Sequence, residues 1–281
     1  IYKVENMIKI MITCRNRLSM TKKCIKALQK HSQIPHQIYV YDNLTNYKLD
    51  EHFEYFRDLY KNGVIHQITF NTKESTFNAF SKAVSINQFG SLHIMDPNKN
   101  SYDFLLMLDN DIIVTPDWDI KVKRAWKDIK KRKMNDIKMI SQLPGGIKNK
   151  KSIGKVGEIE AKIGDLGGGG FNSIRPNFFE DVGFLPINEL VGHNKKSDQL
   201  YWRLMSKSNN GKPYILGLDT KLCIHCGNIG GSICNNLTRI RDEKEALEKI
   251  KFGEAEERIE NMCFDDFYKM IINDNFLIND W

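Results

Sequence analysis

The sequence contains no apolar run that approaches the roughly 18–20 residues needed to cross a bilayer, so none of its 281 residues reads as part of a membrane span. The opening IYKVENMIKIMITC lacks the layout and cleavage site of a secretory signal and reads as a strand. Cysteine is scarce. Six residues (Cys14, Cys24, Cys223, Cys226, Cys234 and Cys263) do not make a disulfide scaffold in a chain of this length, and several stand in core-like surroundings. These absences point to a soluble protein of a reducing cytoplasm, with peripheral contact to a membrane as the further option. They also strip the triplets Asn43-Leu44-Thr45 and Asn236-Leu237-Thr238 of meaning as glycosylation sites. No internal repeat and no linker divides the chain.

What is present, 41% hydrophobic and 27% charged residues, suits one large α/β domain or two small ones and excludes a disordered or fibrous chain. The net charge of +7 is unevenly spread: Lys121, Lys123, Arg124, Lys127, Lys130, Lys131, Arg132, Lys133 and Lys138 crowd one predicted helix. Without interleaved aromatics this face is no nucleic-acid reader. It suits a solvated surface, anionic lipid headgroups or a polyanionic acceptor.

Period and punctuation give a strand over 8–13, the polar turn Cys14-Arg15-Asn16-Arg17, and a helix over 19–31. A second strand, HQIYVYDN, ends on Asp42 and Asn43 and precedes a helix carrying Phe53, Phe56 and Leu59. A third strand is expected over 65–70, a helix over 78–87, then a fourth strand. Strands alternating with helices predict an α/β fold: a mostly parallel central sheet flanked by helices, with ligands gathered at the strands' carboxyl ends. Three of those ends are polar: Thr13 with Arg15 and Arg17, Asp42 with Asn43, and Asp109 with Asp111. Beyond residue 140 the pattern turns mixed. A strand MISQLPGG, a lysine-rich connector over 148–155 and the glycine tract 167–170 are followed by helices over 171–185 and 197–206, a strand pair within 214–225, and a charged helical region from 236 onward.

The most informative stretch is YDFLLMLDNDIIVTPDWD, 102–119, in which the continuous apolar run Phe104 to Leu108 has the character of a central strand. Residues i and i+2 of a strand share a face, so Asp109 and Asp111 are expected to point the same way, with alpha carbons roughly 6.5–7 Å apart. Such a pair can grip one divalent ion. Hard carboxylate oxygens suit Mg²⁺ or Mn²⁺, which keep open positions for diphosphate oxygens. The bland alternative, capping and turn duty, is already filled by Thr115, Pro116 and Asp117, expected as N-cap, N1 and early acidic residue of the next helix. The cluster Cys223, His225 and Cys226 invites a zinc reading, but a strand there sends Cys226 to the opposite face unless it breaks at Cys226-Gly227.

The order of these landmarks resembles the nucleotide-sugar-dependent glycosyltransferases of the GT-A fold, family 2-like group, over roughly residues 7–230. IKIMITCRNR resembles that family's opening strand and T-x-N-R turn, YVYDN its second strand, and LLMLDNDI its metal-binding D-x-D strand. GGGGFNSIRPNFFEDVGFLP is similar to the acceptor-side segment, KSDQLYWRLMSKSNNGKPYIL to the E-D-x-x-L-x-x-R element, and LCIH to the late strand ending in a metal-ligating histidine. The element departs from the family at its glutamate, which is Ser197 or Lys196 here, leaving Asp198.

The resemblance implies a catalytic domain over 1–235, with a nucleotide-sugar half near 1–115 and an acceptor half near 116–235, and a charged extension over 236–281. It implies a hexosyltransferase-class enzyme, metal-dependent and inverting, using a UDP-sugar donor. Thr13, Arg15, Arg17, Asp42, Asn78 and Asp109 would then line the donor side. Asp109, Asp111 and His225 would hold Mn²⁺ or Mg²⁺, and Asp198 would be the general base that deprotonates the acceptor hydroxyl. The acceptor stays open among a glycan, a lipid-linked glycan, a protein and a modified nucleic acid. Two other readings stand beside this one: a degenerate protein that binds a nucleotide sugar or glycan without turnover, and a D-x-D phosphatase. The phosphatase motif belongs near the amino terminus and continues into Gly or Thr, whereas Ile112-Ile113 follow here.

Overall fold

A computed structural model describes residues 7–43, 45, 48–71, 78–142, 151–164, 170–185, 214–226 and 253–273, with the side chains of 78–81 excepted. The first half alternates as the pattern predicts: β1 (Met7–Cys14), α1 (Leu18–His31), β2 (His36–Asn43), α2 (Leu49–Lys61), β3 (Gln67–Asn71), α3 (Asn78–Met95) and β4 (Tyr102–Asp109). The short β5 (Ile112–Val114) and α4 (Trp118–Lys131) follow, then β6 (Met139–Gln142), β7 (Lys151–Val156), β8 (Ile159–Gly164), β9 (Phe171–Ile174), α5 (Phe178–Val182), β10 (Ile215–Leu218) and β11 (Cys223–His225). Helical residues 253–261 and α6 (Phe264–Asn273) close the described chain.

One nine-stranded sheet runs in the order β3-β2-β1-β4-β9-β6-β10-β8-β7, and β5 pairs with β11 in a separate ribbon. The sheet is parallel through β3-β2-β1-β4; β9 then enters antiparallel between β4 and β6. β1 and β4 read as near-continuous apolar runs because both faces are covered. Ile8, Ile10, Ile12, Phe104, Leu106 and Leu108 join the core layer that includes Met20, Cys24 and Leu28 of α1 and Val122 and Ile129 of α4. Met11, Leu105 and Met107 face the other layer, with Ile86 and Phe89 of α3 and Phe178 and Phe179 of α5.

Three expectations are corrected. The lysine-rich connector is a hairpin, β7–β8, whose strand β7 pairs with β8 alone among the described strands. Its polar, half-exposed residues hide the strand period. Gly157, at φ +57° in its turn, lies so close to α4 that a Cβ would stand 2.7 Å from the Ala125 nitrogen. The helix expected over 171–185 splits: Phe171–Ile174 are strand, buried on both faces, and only Phe178–Val182 are helical. The helix α4 starts at Trp118 behind Asp117, which is left-handed (φ 63°), not behind an N-cap at Thr115. The Thr115 hydroxyl donates instead to Lys221 O at 2.7 Å, tying the β5–α4 junction to the approach to β11.

The described C-terminal residues do not hang off the domain. Ile259, Phe267 and Ile271 belong to the α1-side core, and the His31 ring packs edge-on against Phe264 and Tyr268. No helix among the described residues is long and apolar enough to cross a membrane.

Candidate active site

The site grows from the carboxyl ends of β1 and β4, adjacent and parallel with Thr13 opposite Asp109. The chain leaves β1 through two consecutive left-handed residues, Asn16 (φ 52°) and Arg17 (φ 51°). Asparagine tolerates that conformation; for arginine it costs about 1 kcal/mol or more. The turn is held by its neighbours. Asn16 N–H donates to Thr45 Oγ1 at 2.9 Å, and Thr21 donates to Arg17 O from both N–H and Oγ1, each at 3.0 Å. Asn110, between the two aspartates, donates through Nδ2 to Thr21 Oγ1 at 2.9 Å.

So held, the buried Arg17 guanidinium reaches Asp111 Oδ2 at 3.1 Å, and His225 Nε2 lies 3.6 Å from the same oxygen. Burial alone would raise the Asp111 carboxyl, but His225, Arg17 and Lys82 together hold it below the usual carboxylate range. Burial alone would lower the His225 imidazole; Asp111, and at longer range Asp109, lift it above its ordinary value. Asp111 Oδ1 is buried and has no hydrogen-bond partner among the described residues. An ionised, buried oxygen without a donor fits a hard cation, and this is the observation on which Mn²⁺ or Mg²⁺ suits the site.

Asp109 is held differently. β4 ends there, and Asn110 and Asp111 form a turn into β5, so strand periodicity does not carry across the pair. Thr13 Oγ1 donates to Asp109 Oδ1 at 2.9 Å, and Lys82 Nζ on α3 lies 2.7 and 2.9 Å from the two carboxylate oxygens. Asp109 N–H donates to Gly170 O at 3.0 Å, placing the last residue of the glycine tract against the site. A Cβ on Gly170 would stand 2.7 Å from Ile112 Cδ1. Among the described residues, no three His, Cys, Asp or Glu side chains form a ready ligand set. That holds for Cys223, His225 and Cys226, whose two thiols burial also pushes well above their ordinary pKa, and equally for Asp109, Asp111 and His225 as they stand.

A second polar group lies one strand over. Asn43 Oδ1 accepts from Asn71 Nδ2 at 2.7 Å and from Ser85 Oγ at 2.8 Å, joining the ends of β2 and β3 to α3. Asp42 is on the opposite face of β2 and only 2% exposed. Its carboxylate accepts from Thr45 N–H at 3.0 Å and Thr45 Oγ1 at 2.6 Å, a local bond three residues on rather than the two of an Asx turn, with His52 Nδ1 at 3.5 Å.

No protein-family model matches the sequence, and no curated protein matches it. Solved structures do match. GalNAc-T7 with UDP, GalNAc and Mn²⁺ superposes with a TM-score of 0.52 at 14% identity, over 78% of this chain and 44% of that one. The mannosyltransferase PcManGT from Pyrobaculum calidifontis, in complex with GDP-Man and Mn²⁺, gives 0.52 at 12%, over 79% and 57%. TarS from S. aureus gives 0.50 at 13%, over 77% and 36%. The fold is that of the GT-A glycosyltransferases. This chain spans less than two thirds of the length of each of those three chains.

Within the GT-A frame, Thr13, Arg17, Asp109, Asp111 and His225 come together at one sheet end. Arg15 is half-buried in the same turn. Asn78 begins α3, but its side chain lies outside the described set, and Asp198 lies outside the described residues altogether. Sequence reading missed Lys82, Ser85 and Asn71. A signal existed for the first: Lys82 is the sole Lys, Arg, Asp or Glu in α3, NAFSKAVSINQFGSLHIM, and a lone charge on an apolar helix asks for a partner.

Proposed function

We propose that this chain is a metal-dependent glycosyltransferase that moves a hexose from a nucleoside-diphosphate donor, a UDP-sugar first among them, to an acceptor hydroxyl with inversion. The observation that carries the reading is the buried, partnerless Asp111 Oδ1 beside His225 and Arg17 at the mouth of β1 and β4. Asp111 with His225, and Asp109 once Lys82 is drawn off it, would hold Mn²⁺ or Mg²⁺. When bound, the cation supplies Lewis-acid neutralisation of charge on the leaving diphosphate. Lys82 and Arg17 are the fixed cations of the same mouth, each resting on a carboxylate, and an anionic donor competes for both. Thr13 keeps Asp109 turned inward. Asn43, Asn71 and Ser85 offer amide and hydroxyl groups one strand away, suited to a nucleoside's polar edge.

The test is calorimetric titration with UDP, GDP, CDP and dTDP, each with and without Mn²⁺. Selective binding that requires the metal supports the reading; no binding under any condition sinks it. Asp198 remains the proposed general base. Asp198→Ala is expected to keep nucleotide binding within about twofold and to lower transfer by a factor of roughly 10²–10⁴. Transfer at the wild-type rate would remove Asp198 from that role, and absence of transfer in the wild type would favour a binding protein.

We further assign the basic helix to peripheral contact with an anionic surface. Trp118, Val122, Ala125, Trp126 and Ile129 are buried, while Lys127, Lys130, Lys131 and Lys133 stand exposed. Lys123 pairs with Asp103 at 2.8 Å, at the end of β4 opposite Asp109. Six residues of strand put that end about 20 Å from the site, too far for these lysines to touch the reacting sugar. With about 1 kcal/mol per lysine near an anionic bilayer, replacing all four with Gln is expected to weaken cosedimentation with phosphatidylserine vesicles at least a hundredfold while nucleotide binding stays unchanged. Equal sedimentation of variant and wild type would return the helix to a merely solvated face.

A further inference from the structure

The helix α1 begins without a cap of its own. Its N-cap residue is Arg17, left-handed and with no side-chain hydrogen bond to the first turn, and that turn contains no acidic residue. The first amides of a helix have no partner within it, so such an end must be completed from elsewhere. Here the missing acceptor lies 237 residues on: Glu256, in the helical residues 253–261, accepts from Ser19 N–H through Oε2 at 3.1 Å. Glu256 is 7% exposed, and a carboxylate at a helix's positive end is favourably placed. The attachment continues along α1. Lys22 pairs with Glu260, Lys23 Nζ donates to Met262 O, and Lys30 pairs with Asp265. Residues 253–273 are thus laid along α1 from its first turn to its last.

Ser19 is two residues from Arg17, the residue that turns left-handed and reaches Asp111. We infer that Glu256 is a positioning residue of the donor site: by fixing the first turn of α1 it holds the Asn16-Arg17 turn, and hence the Arg17 guanidinium on Asp111. The inference rests on the nucleotide-sugar reading of that site. It assigns the C-terminal region a part in donor binding that a mere surface extension would not have. A carboxylate that only stabilised the fold would leave the turn and the donor affinity alone when replaced.

The experiment uses the full chain and two readouts: amide hydrogen exchange across residues 15–21, and calorimetric binding of UDP with Mn²⁺. In Glu256→Ala, exchange across the turn is expected to rise about tenfold and UDP to bind about tenfold more weakly, the equivalent of one lost hydrogen bond to a charged group. Glu256→Gln keeps an oxygen for Ser19 N–H and is expected to restore both to within about threefold. Should Glu256→Ala fail to fold, Ser19→Pro removes the amide together with the hydroxyl in a first turn that tolerates proline, and the same two changes are expected, whereas Ser19→Ala, which keeps the amide, is expected to leave both within about threefold of wild type. Wild-type exchange and affinity in the folded variant overturn the inference. If exchange rises while affinity does not move, Glu256 is a structural cap and the inference is likewise overturned. A wild type that binds no UDP strikes the nucleotide-sugar reading instead, and the exchange comparison then decides by itself whether Glu256 holds the turn.

Discussion

Asp111→Ala is expected to lose metal-dependent nucleotide binding by about a hundredfold or more, close to 3 kcal/mol, because it deletes a buried carboxylate oxygen at the site that has no hydrogen-bond partner among the described residues. The same change takes the Asp111 carboxylate away from the Arg17 guanidinium, whose side chain is 6% exposed. Some loss of stability therefore accompanies it. Asp111→Asn separates the two effects: it keeps the shape and an oxygen for Arg17 while removing the charge. Both variants should bind nucleotide equally with and without Mn²⁺. The thermal midpoint of the asparagine variant should stay closer to wild type. A metal-dependent affinity that survives in both would move the cation elsewhere and take the reaction chemistry with it.

The largest expected effect on stability lies at the other end of β1. Lys9 is 1% exposed, and its ammonium lies 3.1 Å from Asp96 Oδ2 and over the rings of Tyr39 and Tyr102. Burial alone would raise the Asp96 carboxyl, yet the Asn98 N–H, the Tyr102 hydroxyl and Lys9 hold it below the ordinary 3.8. Asp96→Asn strands a buried ammonium and is expected to cost about 3 kcal/mol, measured by denaturant unfolding. Lys9→Met with Asp96→Asn should recover most of that, since no charge is then left unpaired. The sign with pH follows from the depressed carboxyl. Its stabilisation is complete above 3.8 and is lost as pH falls through the lower folded value, so wild type and Asp96→Asn converge in acid. A constant gap between them down to pH 2 would mean that the charge of Asp96 is not what the substitution removes.

What could be read from the sequence divides along physical lines. The strand β4 and the two aspartates at and just past its end, Asp109 and Asp111, are legible because a central parallel strand is apolar on both faces and cannot be mistaken for a surface segment. The hairpin β7–β8 is not, because a half-exposed, lysine-bearing edge carries little alternation. The sequence of Phe171–Ile174 reads as helix because the strand's two faces are both buried and offer no period of two to detect. At the site, Thr13, Arg17, Asp109, Asp111 and His225 could be nominated, but not their pairing. The Asn110-Asp111 turn sends one carboxylate to Lys82 and Thr13 and the other to Arg17 and His225. Glu256 was beyond reach for a simpler reason: a cap supplied across 237 residues leaves no local trace.

The lysines of β7 matter beyond the fold diagram. Among the described strands β7 is a terminal one, and a terminal strand is a template on which a second molecule can add its own strand. Lys151, Ser152, Gly154 and Lys155 stand exposed there. Two such strands meeting edge to edge would bring ammonium groups of one molecule against those of the other, with the neighbouring cations of α4 behind them. Stacking through this border is thereby discouraged, and the chain is expected to stay dispersed at concentrations where a neutral border would seed fibres.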